Sequence, residues 1–377
     1  MGPLHGIRIL ELVGIGPGPF AGMMFADMGA DVIAVDRMGA AGPLDMKVDI
    51  NRRGKRSIQL NLKAPEGRAA FLKLCENADG LIEGFRPGVM EKLGLGPADI
   101  AAVNPRMVYG RMTGWGQTGP LAKSAGHDIN YIALSGALHA MGPGDAPPIP
   151  PLNLVGDYGG GALMLAFGVA CALIEARTSG TGQTVDASMV EGSSLLMTLF
   201  HSMMANGLWQ PERGTNLLDG GPHFYGTFAT ADDKYISLGA IEPQFMAVFI
   251  EKTGLDPRWM QNHLNPAMWP ELKQELAVLF AGKTQAQWCD LLEGSDACFA
   301  PALPFWQAHE HPHNQARQSF VKIDGLMQPA PAPRFSRTPP EIQGPGPAKG
   351  ADSDALLAEA GYSACDIAAF RQKNIIA

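Results

Sequence analysis

Three ionisable side chains stand in apolar or glycine-rich surroundings where chemistry is a natural reading: His127 in SAGHDINYIALSG, Asp157 in NLVGDYGGGALM and Glu242 in LGAIEPQF. Imidazole titrates near neutrality while aspartate is normally ionised, so a histidine and a carboxylate make an acid/base pair. Set on opposite faces of an acidic C–H, one removes the proton and the other returns it, which inverts the carbon. Asp157 stands just ahead of Gly159 to Gly161, which open a long apolar helix. Free backbone N–H groups at such a helix start would stabilise an oxyanion forming beside the carboxylate. Glu242, between Ile241 and Pro243, needs a partner, and His127 would supply it. The same residues also admit a structural reading, with Asp157 as an N-cap and His127 starting a helix that Asp128 caps.

Two other clusters carry less. His309, His311 and His313 alternate in AHEHPHNQ, but the spacing matches no familiar zinc pattern and Pro312 predicts a loop, so no metal site is expected. Ser188 lacks the GxSxG elbow of a hydrolase nucleophile.

The elements that must position these groups begin with a βαβ unit. Ile7 to Val13 reads as a strand ending in the loop Gly14 to Pro19, Phe20 to Met28 as a helix and Asp31 to Val35 as a strand. The alternation continues with strands at Ser57 to Leu62, Gly80 to Glu83 and Met107 to Met112 and helices at Pro65 to Asn77 and Val89 to Leu93, which predicts a doubly wound α/β fold with a parallel sheet. Gly14 and Gly16 start a GxGxxG pattern whose third glycine is replaced by Pro19, so a dinucleotide is not expected. Asp36 would suit a ribose hydroxyl, whereas Arg37 suits a phosphate, and Lys63, Arg86 and Lys92 also follow predicted strands, where ligands of open α/β sheets gather.

After a proline-dense stretch, 141 to 157, a long apolar helix runs to about Arg177, then a turn, a strand at Thr184 to Ala187 and a second apolar helix through Phe200. Beyond Gly207 the texture changes to turns, a hairpin-like stretch from Phe224 to Leu238 and amphipathic helices near 244–252 and 271–281, read as a smaller α+β domain. The Pro- and Gly-rich segment 327–350 predicts an extended connector back to the first domain, closed by helices at Asp352 to Ala360 and Ser363 to Lys373.

Composition narrows the function classes. A 377-residue chain with 46% hydrophobic and 18% charged residues has a sizeable core and fits two domains. A net charge of −8 argues against nucleic acid as a partner, since that needs a basic face; any anionic ligand must meet local Lys and Arg. Five scattered cysteines without CxxC spacing suggest neither disulfides nor zinc. The apolar stretch Ala162 to Ile174 is short for a bilayer span, no membrane partner is expected, and MGPLHGIRILEL and KNIIA resemble no export or peroxisomal address, so a cytoplasmic location is expected.

Over nearly the whole chain, ELVGIGPGPFAGMMFADMGADVIAVDR, LNLK, LIEGFRPGVMEKLGLGP, GRMTGWGQTGPL, AGHDINYIALSG, PPLNLVGDYGGG, GTGQTVDASMVEG, GAIEPQF and ACFAPALPFWQAHEHPHNQAR together resemble the class III CoA-transferase superfamily. GHDINY and GAIEPQF are similar to its α-methylacyl-CoA racemase branch in particular. The resemblance implies an acyl-CoA thioester substrate whose (R)- and (S)-2-methyl forms interconvert by 1,1-proton transfer through an enolate. No cofactor is implied, because CoA is part of the substrate. His127 and Asp157 would be the proton-transfer groups and Glu242 would orient His127. Arg37, Leu60, Asn61, Leu62, Lys63, Gly84, Phe85, Arg86, Lys92, Gly126, Asp128, Ile129, Asn130 and Tyr131 would line the CoA and substrate site. Lys92 stands where an arginine is common, keeping the charge without the bidentate fork. The implied architecture is a Rossmann-like large domain, 1–200 completed by 326–377, a linker, 201–220, and a small α+β domain, 221–325, in an interlocked homodimer. Its active site would lie between the large domain of one subunit and the small domain of the other. Two alternatives stay open: a class III CoA-transferase with Asp157 as the acyl-accepting nucleophile, and a non-catalytic acyl-CoA binding protein.

Overall fold

The apolar run after Gly6 forms β1 (Arg8–Leu12), and Pro17 then starts α1 (Pro17–Asp27) from the first helical turn, where a missing N–H costs nothing. In this computed structural model, which describes residues 2–39 and 46–377, the pattern continues through β2 (Asp31–Arg37), β3 (Arg56–Leu60), α2 (Pro65–Cys75), β4 (Gly80–Glu83), α3 (Val89–Lys92), α4 (Pro97–Val103) and β5 (Val108–Thr113). After α5 (Asp128–Leu134) comes a π-helix, Leu154–Ala162, continuous with α6 (Leu163–Ser179), then β6 (Thr184–Ser188) and α7 (Met189–Leu196). The six strands pair in parallel in the order β3-β2-β1-β4-β5-β6. Going outward from β1, the chain runs one way to β3 and the other way to β6, so the switch point lies between β1 and β4.

Parallel strands covered on both faces are apolar at successive positions rather than alternate ones. Leu10, Ile33, Ile58 and Leu81 point into one core, and their neighbours Ile9, Val32 and Ile82 point into the other with Leu165 and Val169 of α6. The π-helix and α6 form one 26-residue helix, longer than the sequence suggested and long and apolar enough to cross a membrane by length and composition. Its Leu165, Val169, Ala172, Leu173 and Ala176 are nevertheless buried in the core of this unit.

The second unit comprises 136–151 and 197–317. Here α8 (Thr198–Ala205) begins after Met197, so the expected single apolar helix through Phe200 is two helices divided between units. An antiparallel sheet, β7 (Tyr225–Ala229), β8 (Tyr235–Gly239) and β9 (Phe299–Pro301), packs with α9 (Pro243–Thr253), α10 (Arg258–Asn262), α11 (Trp269–Phe280) and α12 (Gln285–Leu292). Its core is aromatic, with Phe224, Phe249, Trp259, Phe280 and Trp288 fully buried. The buried Trp288 Nε1–H finds a partner in the Phe280 carbonyl at 2.9 Å, as an interior indole requires.

Three expectations change here. Residues 136–151, expected in the large domain, belong to the second unit because the Arg213 guanidinium donates to the carbonyls of His139, Pro143 and Ala146 at 2.6 to 3.0 Å. Residues 201–220, expected as a linker, are ordered by the rest of α8 and by Asn216 and Asp219, whose side chains bond the turn backbone at Gln210 and Gly214. The histidine run, expected in a loop, is partly helical: Pro312 takes the first position of α13 (Pro312–Ala316), and His311 caps it while its Nε2 meets Glu293.

The chain re-enters the first unit at Gln318, ahead of the expected residue 326. It forms the hairpin β10 (Phe320–Ile323) and β11 (Leu326–Pro329), then an extended stretch, then α14 (Ser353–Glu359) and α15 (Ala364–Gln372). The buried Arg53 guanidinium clasps Asp27, Gln328 and the Pro329 carbonyl, which explains why the return docks where it does.

Candidate active site

The carboxyl ends of β1, β2, β3 and β4 enclose a cleft of about 830 Å³, where open α/β sheets bind ligands. Its walls bring together Arg37, Leu60, Asn61, Leu62, Lys63, Phe85 and Lys92, seven of the residues implied by the resemblance. The glycine loop contributes Val13, Gly14 and Ile15. Asp36 is also in the lining, yet its carboxylate accepts both arms of the Arg52 fork at 2.9 and 2.7 Å and the Ser57 hydroxyl at 2.7 Å. The ribose role considered for Asp36 is therefore corrected: its lone pairs are committed inside the protein. Sequence reasoning missed Lys349, whose only signal was the expected return of the 327–350 connector to this domain.

Asp157 lies behind the glycine loop. Gly16, at φ 75°, is in the left-handed region, and a Cβ there would stand 3.3 Å from the Asp157 carboxylate. Glycine thus lets the β1–α1 turn pass directly over this carboxyl group. The structure corrects the expected setting of Asp157: it is the fourth residue of the π-helix rather than a helix N-cap. Its own N–H is taken by Asp128 Oδ1 at 2.7 Å, so that amide is no oxyanion donor. The glycines that follow serve packing, since a Cβ at Gly192 of α7 would fall 1.8 Å from the Gly160 carbonyl. π-Helical turns within α-helices recur at functional sites, and here one carries the carboxylate.

Half-burial holds the Asp157 carboxyl above the usual aspartate range, opposed by the Asn153 amide that donates to it at 3.2 Å. The Asp128 charge pushes the same way as burial, and His127 pulls down. His127 is thus within electrostatic reach of Asp157. It is exposed and starts α5, as expected, but Asp128 does not cap the helix; Asn130 Oδ1 receives the His127 N–H at 3.0 Å, and buried Asp128 turns inward to Asp157. Tyr131 donates to the Gly126 carbonyl at 2.5 Å, and burial together with Asp157 raises its hydroxyl pKa while Arg86 lowers it. Gly84, Arg86, Gly126, Ile129 and Asn130 stand outside the cleft lining, with Arg86 on the Tyr131 side.

Glu242 belongs to the second unit. It is exposed, follows β8 and caps α9 through its carbonyl, which receives the Phe245 and Met246 N–H groups; its side chain makes no cap bond. The structure therefore brings His127, Asp157 and the cleft together in one unit and leaves Glu242 on another.

A parallel α/β sheet with cations at its carboxyl edge, and a half-buried carboxyl group within electrostatic reach of a histidine, is an arrangement that can hold an anionic ligand and carry out proton transfer or acyl transfer. The chain belongs to CoA-transferase family III, whose model matches residues 4–353. It is 45% identical over 377 residues to alpha-methylacyl-CoA racemase of Mus musculus, covering 99% of this chain and 97% of that protein. The Homo sapiens protein of the same name is 43% identical over 378 residues, with the same two coverages. The crystal structure of Rv3272 from M. tuberculosis superposes with a TM-score of 0.78 at 27% identity, over 95% of this chain and 99% of that one.

Proposed function

We propose that this protein interconverts the (R) and (S) forms of 2-methylacyl-CoA thioesters by 1,1-proton transfer. The observation that carries the reading is a half-buried Asp157 of raised pKa, within electrostatic reach of His127 and under the glycine loop of the cation-lined cleft. The thioester carbonyl acidifies the α-C–H, one of the two residues abstracts the proton to give an enolate, and the other reprotonates the opposite face. A raised carboxyl pKa narrows the gap to the carbon acid and to imidazole, which suits exchange of acid and base roles between the two directions. CoA is the handle of the substrate, and no separate cofactor takes part.

Glu242 enters this reading as the orienting partner of His127, supplied within an interlocked homodimer. Exposed apolar side chains on the apolar helices, among them Phe167, Ile174, Leu195 and Leu199, favour a second copy, since large exposed apolar surface marks an association site.

The test is incubation with a single enantiomer of a 2-methylacyl-CoA in D2O, following optical inversion and deuterium at the α-carbon. Inversion with exchange, lost in His127→Ala and Asp157→Ala, is the expected outcome. Transfer of CoA to an added free acid without exchange would move the assignment to acyl transfer through Asp157.

A further inference from the structure

We infer that Lys349 is a phosphate-binding residue of the cleft, delivered by the C-terminal return of the chain; this rests on the reading that the cleft takes an acyl-CoA. Among the described residues, the cleft walls carry the cations Arg37, Lys63, Lys92 and Lys349 and one carboxylate, that of Asp36. That carboxylate is already neutralised by the Arg52 fork. The cleft is therefore a locally positive pocket in a chain whose net charge is −8, which is what a ligand bearing a diphosphate and a further phosphate requires.

Lys349 comes from the far end of the sequence, yet its backbone is held tightly to the strands that shape the cleft. The Pro347 carbonyl accepts from Arg52 Nε at 3.2 Å, and the Gly350 N–H donates to the Ser57 hydroxyl at 2.8 Å. Asp352 bonds Ser57 twice, its N–H to the Ser57 carbonyl at 2.9 Å and its carboxylate to the Ser57 N–H at 2.8 Å. Further along, the Ile375 carbonyl accepts from the Asn61 N–H at 2.9 Å. Arg52 is the common element: one arginine neutralises Asp36 and anchors the strap that carries the lysine. A fixed backbone lowers the entropy lost when the side chain closes on a phosphate.

The experiment is calorimetric titration of the full-length protein with CoA at low and high ionic strength, for wild type, Lys349→Ala and Lys349→Arg. Loss of one charge-assisted contact predicts a Kd about tenfold higher for Lys349→Ala at low salt. That ratio shrinks at high salt, because an exposed charge is screened, and Lys349→Arg restores most of the affinity. Equal Kd values for wild type and Lys349→Ala would overturn the inference alone. So would a loss that is independent of salt and unrelieved in Lys349→Arg, since a structural role behaves that way. Wild type that does not bind CoA would remove the parent reading and this inference together.

Discussion

The main-chain N–H of Asp157 donates a 2.7 Å hydrogen bond to Oδ1 of Asp128, 29 residues earlier in the sequence but adjacent in space, and the second oxygen of Asp128 is buried without a hydrogen-bond partner. One carboxylate thus holds the backbone beneath another and, by its charge, helps to keep the second protonated to a higher pH.

Replacing Asp128 by Asn keeps an acceptor for the Asp157 N–H and removes the like charge. The Asp157 pKa should fall, so the acid limb of kcat/KM for inversion moves to lower pH. Asp128→Ala also removes the acceptor and should cost about 1–3 kcal/mol of stability. An acid limb unmoved in Asp128→Asn would show that the contact does not set the titration of Asp157.

Arg111 ties the β4–α3 loop together: it donates to Glu83 at 3.0 Å and to Glu91 at 2.7 Å, while Glu83 accepts the Phe85 N–H at 2.6 Å. Burial raises the Glu83 pKa and Arg111 opposes it. Arg111→Leu should destabilise the protein by about 3–5 kcal/mol by stranding a buried carboxylate. It should also raise KM for acyl-CoA, because Phe85 and Lys92 sit on this loop and its helix. Adding Glu83→Gln should recover part of the stability. Denaturant titration and steady-state kinetics check both effects.

Burial pushes the imidazole of His223, wholly enclosed among Phe224, Trp259 and His263, down to about 3 from its ordinary 6.5. Between those values the unfolded chain binds a proton that the folded one does not. Stability therefore rises with pH across that window and is flat above it on this account. His263, also lowered by burial, adds the same sign. His223→Phe should flatten the acid limb of the unfolding midpoint against pH; an unchanged limb would assign it to other groups.

Much of the first unit was legible because local rules and global fold agree there. Apolar runs of strand length alternate with helices, and β1 to β6 fall within a few residues of the strands read from pattern. Arg37, Lys63, Arg86 and Lys92 were read from strand ends, since the carboxyl edge of a parallel sheet collects loops; three of them line the cleft and Arg86 stands outside it. Where the reading erred, a long-range contact decided. Asp128 looked like a cap but faces Asp157, and Gly159 to Gly161 looked like a helix start but form a seat for α7. The 201–220 segment looked like a linker because polar turn sequence does not announce that Asn216 and Asp219 bond one another.

By itself the sequence determined the alternating α/β order, the change of texture beyond Gly207, the cations at strand ends and the candidate pair His127 and Asp157, because each is written in periodicity or in residue type at short range. Only the tertiary structure decided that Asp36 is spent on Arg52, that Asp157 sits in a π-helix beneath Gly16, and that Lys349 returns to the cleft across the chain. Those outcomes depend on which groups satisfy one another's hydrogen bonds and charges once the sheet has formed, and partners far apart in sequence leave no local pattern to read.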